Sequence, residues 1–245
     1  MDYPQQTLNF ILDLVFPISC IGCGCFSPQN RREYLCQSCS DRIAIKRRFK
    51  CIGCKRNSPL GKTCIECEEY RSIDNLFLIS DYKNPLLEKA LKVFKYRFVA
   101  DMAELFRRLL KKYILWLSKE KNFNLIADNP IIIPMPLYPR RLNWRGFNQA
   151  EIIAQFLADL LQQNIQTNIL IRIKETKPQA DIKQKDERLK NPKNKFKIIN
   201  ASNIKNRNII LVDDICTTGA TLNECARLLK EAKARKIVAF VIARG

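Results

Sequence analysis

"LVDDICTTGATL", Leu211 to Leu222, sets two adjacent carboxylates at the end of an apolar run and follows them with Thr217, Thr218, Gly219, Ala220 and Thr221. The residues before it, "NIILV" from Asn208 to Val212, read as a buried strand. A helix is predicted from about Thr221 to Lys233, and a further strand in "KIVAFVIA", Lys236 to Ala243. This is a β–α–β unit, and the right-handed crossover rule makes its strands parallel. Open α/β sheets bind ligands outside the carboxyl ends of their strands, which is where Asp213 and Asp214 are expected to emerge. The turn after them brings hydroxyls and backbone N–H groups to a helix N-terminus, which makes a phosphate cradle. Carboxylates repel phosphate but accept hydrogen bonds from sugar hydroxyls, so a ribose 5-phosphate satisfies both halves of the stretch.

Two other readings compete. An apolar strand ending in two acids also occurs beside the P-loop of ATPases, but that site requires GxxxxGK[ST]. "GKT" is present at Gly61 to Thr63, yet Arg56 stands where the first glycine is needed and the segment lies between cysteines, so this reading is rejected. A strand that merely ends in polar residues before a threonine-capped helix is common. The conjunction of four apolar residues, two acids and a threonine–glycine turn argues against it here.

Upstream, "LFLISDY" (Leu76 to Tyr82) reads as a strand and Pro85 to about Ser118 as one helix, its packed face formed by Leu87, Leu91, Phe94, Phe98, Met102, Leu105 and Leu109. "NPIIIPMP" holds a short apolar strand, Ile131 to Ile133, suited to a parallel sheet interior. A helix follows from Asn148, a natural N-cap with Glu151 three residues on, and "NILIRI" (Asn168 to Ile173) is another strand. The polar run from Lys174 to Lys195 is too long and charged for a plain connection.

Eleven cysteines include four CxxC pairs: Cys20/Cys23, Cys36/Cys39, Cys51/Cys54 and Cys64/Cys67. Each such turn aims two thiolates at one point, and two turns complete a tetrahedral zinc shell, so two structural zinc ions are expected. Pairing of the first turn with the second and the third with the fourth is preferred, with a cross-braced arrangement as the alternative. Glycines in "CIGCGC" and "CIGCKR" are expected to serve positive φ and N–H groups near sulfur. An odd cysteine count and a cytoplasmic setting argue against disulfides. The segment has too few apolar residues to fold without metal, and a domain boundary is placed near residues 70–75.

The 245-residue chain carries 43 basic and 24 acidic residues and no histidine, a formal charge of +19 that two four-thiolate zinc sites would lower to about +15. Such a balance favours polyanions, although many lysines in a Lys-, Asn- and Ile-rich chain simply solvate the surface. Arg172 to Arg207 alone holds 12 basic and 4 acidic side chains. No apolar run approaches the roughly 18 residues of a membrane span. "TLNFILDLVF" (Thr7 to Phe16) reads as a short amphipathic helix. Asp2, Asp13, Pro17 and the lack of a basic start argue against a processed leader before Cys20. A cytoplasmic location follows as an expectation.

"ILVDDICTTGATL" resembles the phosphoribosyl pyrophosphate motif of type I phosphoribosyltransferases. With "LVFPISCIGCG", "LKVFKYRFVADMAELF" and the specific "RRLNWRGFNQA", the chain more closely resembles the ComF family, the competence-associated branch with an N-terminal zinc ribbon. The resemblance implies an α/β fold: a phosphoribosyltransferase-like parallel sheet flanked by helices over residues 73–245, behind an N-terminal helix and double zinc ribbon over residues 1–72. It implies that Asp213 and Asp214 hold ribose hydroxyls, that Thr217, Thr218, Gly219, Ala220 and Thr221 bind the 5-phosphate, and that the loop Pro136 to Arg141 faces pyrophosphate. Arg140, Arg141 and Arg145 are its counter-charges, and Gln179 to Arg188 matches a mobile loop. Arg97 departs from the glycine that family members often carry after "KY".

Such an enzyme would use Mg²⁺ with phosphoribosyl pyrophosphate and act mainly by positioning and charge stabilisation, so the absence of histidine is no obstacle. The acceptor stays open. The competing expectation is a non-catalytic adaptor in DNA uptake that senses the sugar phosphate, or binds single-stranded DNA, and works with the family's helicase-like competence ATPase. Cys216 is read as a small apolar filler.

Overall fold

The apolar runs become a four-stranded parallel sheet in the computed structural model, which describes residues 19–26, 34–96, 100–120, 129–174 and 195–245. In chain order the elements are α1 (Gln37–Asp41), α2 (Ile65–Glu68), β1 (Asn75–Asp81), α3 (Pro85–Tyr96), α4 (Ala100–Leu117), β2 (Ile131–Pro134), α5 (Pro139–Arg145), α6 (Gln149–Leu161), β3 (Leu170–Arg172), β4 (Phe196–Ile198), β5 (Asn208–Cys216), α7 (Ala220–Glu231) and β6 (Lys236–Arg244). The strand order is β1-β6-β5-β2, with every neighbouring pair parallel. The helix expected at Thr7 to Phe16, the core position Phe98 and the loop Gln179 to Arg188 lie outside the described residues.

Both faces of the sheet are covered, so its central strands are apolar at nearly every position. Ile210, Val212, Val238, Phe240 and Ile242 point into a core shared with α3, α4 and α6. Ile209, Leu211, Ile237, Ala239 and Val241 point into a second core that includes Leu222, Cys225 and Leu229 of α7.

Three expectations are corrected. The single helix from Pro85 to Ser118 is two helices, α3 and α4. The rings of Phe94 and Phe106 lie 4.7 Å apart, whereas twelve residues of straight helix would separate them by about 18 Å. The chain therefore turns back to pack one helix on the other. The strand "NILIRI" shortens to β3 and leaves the parallel sheet, pairing antiparallel with β4, an element its lysine-rich surroundings hide in the sequence. Finally, β5 does not stop at Val212. β6 continues beside it to the pairs Asp213↔Val241, Ile215↔Ala243 and Cys216↔Arg244, while β2 ends with Pro134 opposite Val212.

The cysteine-rich segment is built onto these cores. Cys20, Leu35, Cys39 and Ile43 are buried with α3 and α4, and Ile52 is buried in the α7 core. Asn223 of α7 clips the chain that leaves the last cysteine pair: its Oδ1 accepts from the Ser72 N–H at 2.8 Å and its Nδ2 donates to the Tyr70 carbonyl at 3.2 Å.

Candidate functional site

Since only β6 runs beside the last part of β5, Asp213 to Cys216 lie along an opened edge of the sheet. Alternation places Asp213 on the face of Ile209 and Leu211, and Asp214 on that of Ile210 and Val212. The two carboxylates therefore straddle the strand rather than point together. Both help hold the backbone: Asp213 Oδ1 accepts from the Asp214 N–H (2.9 Å) and Asp214 Oδ1 from the Ile215 N–H (2.7 Å). Beyond them Thr217 and Thr218 are exposed, and the Thr218 hydroxyl accepts from the Ala220 N–H at 3.3 Å. Gly219 is the N-cap residue of α7 with φ +78°, and a Cβ there would stand 3.3 Å from two carbons of Ile52. Left-handed backbone and close approach both call for glycine. Thr221 lies in the first turn of α7, so hydroxyls, N–H groups outside the helical ladder and the positive helix end share one corner.

The loop Pro136 to Arg141 leaves β2 at the same carboxyl edge and enters α5, which holds Arg140, Arg141 and Arg145. Asn148 fixes the exit: its Oδ1 accepts from the Ala150 N–H (3.1 Å), capping α6 as expected, and its Nδ2 donates to the Met135 carbonyl (3.0 Å). Arg145 donates to buried Gln149 at 3.1 Å, and Gln149 donates to the Phe94 carbonyl at 3.4 Å. One residue further, Lys95 reaches Asp214 Oδ2 at 2.9 Å. Lys95 was missed by sequence reasoning; a lysine in the last turn of a helix, inside "LKVFKY", was its only signal. Arg244 was also missed. It donates to the carbonyls of Thr217 (3.3 Å) and Ile52 (2.9 Å), bracing the Thr217–Thr221 turn against the second cysteine cluster.

Desolvation, and then the charge of Asp214, push the Asp213 carboxyl well above the ordinary carboxylate range, with Lys95 opposing. Buried Asp214 Oδ2, despite Lys95 nearby, has no hydrogen-bond donor of good geometry. An acid pair with excess negative charge and an unsatisfied oxygen fits hydroxyl donors and a ligand that brings a cation. Cys216 is buried and burial raises its thiol to about 11, which suits an apolar filler.

The cysteines form two clusters, Cys20/Cys23/Cys36/Cys39 and Cys51/Cys54/Cys64/Cys67, with all sulfurs of a cluster within 4.8 Å of one another. The cross-braced alternative is thereby excluded. Sulfur separations of 3.8 Å (Cys23 to Cys36) and 3.7 Å (Cys51 to Cys64) match the edge of about 3.8 Å expected for thiolates about 2.3 Å from one zinc. Both clusters are compatible with structural zinc. Burial opposes ionisation of Cys20, but N–H donors from Cys36, Cys23 and Gly22 outweigh it and lower the thiol to about 6. The knuckle glycines meet the expectation in part, since the Gly22 N–H donates to the Cys20 sulfur at 3.4 Å and Gly24 has φ +76°, and a further reason for glycine appears at Gly22 and Gly53. A Cβ at Gly22 would lie 2.8 Å from the Cys39 sulfur and one at Gly53 2.5 Å from that of Cys67, while neither has positive φ. Close approach to sulfur selects glycine there.

An acid pair and a helix-capped turn at the carboxyl edge of a parallel sheet, behind two four-cysteine clusters, define a phosphoribosyltransferase-like protein. The family model described as "Phosphoribosyl transferase domain" matches residues 146–245. The chain is 31% identical to Competence protein ComFC of Bacillus subtilis, over 87% of this chain and 85% of that protein. It is 28% identical to Competence protein F of Haemophilus influenzae, over 87% and 98%, and 26% identical to the DNA utilization protein YhgH of Escherichia coli K12, over 86% and 96%. The chain belongs to the ComF family. Among the described residues no helix is long and apolar enough to cross a membrane.

Proposed function

We propose that the chain binds phosphoribosyl pyrophosphate with Mg²⁺ at the carboxyl edge of β5 and β2 and transfers the phosphoribosyl group to an acceptor in the service of DNA uptake. The observation that carries the reading is the run of β5 past the end of β2, which presents an acid pair beside a helix N-terminus. Thr217, Thr218 and the N–H groups of Gly219, Ala220 and Thr221 take the 5-phosphate. Asp213 and Asp214 accept from the ribose hydroxyls on either side of the strand. Lys95 orients Asp214, and Arg140, Arg141 and Arg145 offset charge on the departing pyrophosphate. Mg²⁺, when bound with the ligand, supplies further charge neutralisation to the pyrophosphate oxygens. The bond from sugar C1 to the pyrophosphate oxygen breaks with its electron pair leaving on oxygen, and a lone pair of the acceptor forms the new bond to C1. Competence and DNA utilization in the names of its relatives motivate the biological setting.

Calorimetric titration with phosphoribosyl pyrophosphate and Mg²⁺ tests this. Wild-type protein should bind, and Asp213→Asn/Asp214→Asn should lose binding at unchanged zinc content. Equal binding by both proteins would refute the assignment. A second reading, a non-catalytic adaptor that binds single-stranded DNA beside the competence ATPase, draws on the basic run Arg172 to Arg207. It requires DNA affinity that falls steeply with salt and little with sequence.

A further inference from the structure

The segment that joins the two cysteine clusters lines a further cleft of about 900 Å³ together with Leu76, Leu78 and Asp81 of edge strand β1. That segment is held in place: the Lys46 N–H donates to the Ile79 carbonyl at 2.7 Å and the Ser80 hydroxyl to the Ala44 carbonyl at 2.7 Å. It presents Lys46, Arg47, Arg48 and Lys50, and Lys55, Lys83 and Arg244 also line the cleft. Asp81 is the lone acid of the lining and is already engaged by Lys46 at 2.6 Å, a hydrogen bond that holds its carboxyl below the ordinary range. Arg47, Arg48 and Lys50 have no ion-pair partner among the described residues, and Arg244 donates only to neutral carbonyls. The apolar part of the lining is half-buried Phe49 and half-buried Leu78, with Leu76 nearly wholly buried behind it. Phe49 is fixed by the rings of Phe77 (5.9 Å) and Trp116 (5.3 Å).

We propose that this cleft is a second ligand site, adjoining the Thr217–Thr221 turn through Arg244 but separate from Asp213 and Asp214, that takes a free nucleoside triphosphate: its phosphates among the linker cations and Lys83, its planar body against Phe49 and Leu78. Several cations without an ion-pair partner around one cleft call for several negative charges in a small space, and half-buried Phe49 and Leu78 call for a body attached to them. The volume suits one small molecule. A single-stranded polymer would instead need a charged groove that tracks its backbone. The inference does not rest on the phosphoribosyl reading.

Zinc-loaded full-length protein is titrated with ATP, inorganic triphosphate and a short single-stranded oligonucleotide, beside the variants Arg48→Glu/Lys50→Glu and Asp213→Asn/Asp214→Asn. ATP should bind wild type at least tenfold more tightly than inorganic triphosphate. It should lose at least tenfold in the charge-reversed pair and keep its affinity in the Asp→Asn pair. Arg47→Ser/Lys83→Ser provides a milder second variant, and two zinc ions per chain verify that each protein is folded. The proposal is overturned if ATP does not bind, if the oligonucleotide binds where ATP does not, if triphosphate binds as well as ATP, or if the linker variants bind ATP like wild type.

Discussion

Asp213 carries a carboxylate whose folded-state pKa is raised by desolvation and by its neighbour. A raised value means that the folded chain binds the proton more tightly than the unfolded chain. Stability therefore falls as pH rises from the ordinary carboxylate range, about 4, through the folded value. Asp213→Asn removes that loss, so its Tm at pH 8 should exceed wild type by at least about 2 °C, with the gain shrinking as pH falls toward 4. A variant less stable than wild type at pH 8 would show that the negative charge of Asp213 supports the fold, because the asparagine Oδ1 can still accept from the Asp214 N–H. Gly53→Ala tests a different single-atom constraint. The added carbon meets the Cys67 sulfur, and zinc measured per chain should drop from two to about one, with Gly245→Ala a control because its Cβ would meet nothing closer than 3.7 Å. The acids and the turn were legible in the sequence because their types are rare together. Lys95 and Arg244 were not, since a lone cation acquires meaning only from what folds against it.

Elements set where those residues stand. Asn148 couples the end of β2 to the start of α6 through both ends of one amide, which allows its roles to be separated. Asn148→Asp keeps the cap acceptor and loses the donor to Met135; Asn148→Ala loses both. Chemical denaturation should show a loss of about 1 kcal/mol for the alanine variant and less for the aspartate. If the β2 to α5 loop faces pyrophosphate, both variants should weaken phosphoribosyl pyrophosphate binding alike in calorimetry. Weakening by alanine alone would trace the effect to helix stability. Apolar periodicity identified α3, α4 and α6 as helical but could not show that the chain reverses between Phe94 and Phe106, because both helices continue the same three- and four-residue spacing. The extension of β5 was equally hidden: polar residues ordinarily end a buried strand, and only the length of β6 keeps Asp213 to Cys216 paired.

For the molecule as a whole, the two cysteine clusters feed opposite cores, so metal and sheet stability should be linked. Removing zinc with a chelator is expected to lower Tm of the entire chain by more than about 10 °C in one cooperative transition. Two separate transitions, with the later one unchanged, would mean that the sheet folds independently of the clusters. Loss of metal should also weaken phosphoribosyl pyrophosphate binding if the Thr217–Thr221 turn holds the phosphate, because Ile52 packs on Gly219 and Arg244 ties the second cluster to Thr217. Residue order was enough to establish the parallel β–α–β unit, the acid pair before a threonine–glycine turn and the cysteine pairs, since each depends on residue types at short, fixed spacing. Folding in three dimensions settled the rest: which cysteine pairs combine, which cations reach the acids, and that the linker cations line a cleft over β1. Each of those joins residues far apart in the chain, where distance is set by packing and not by spacing.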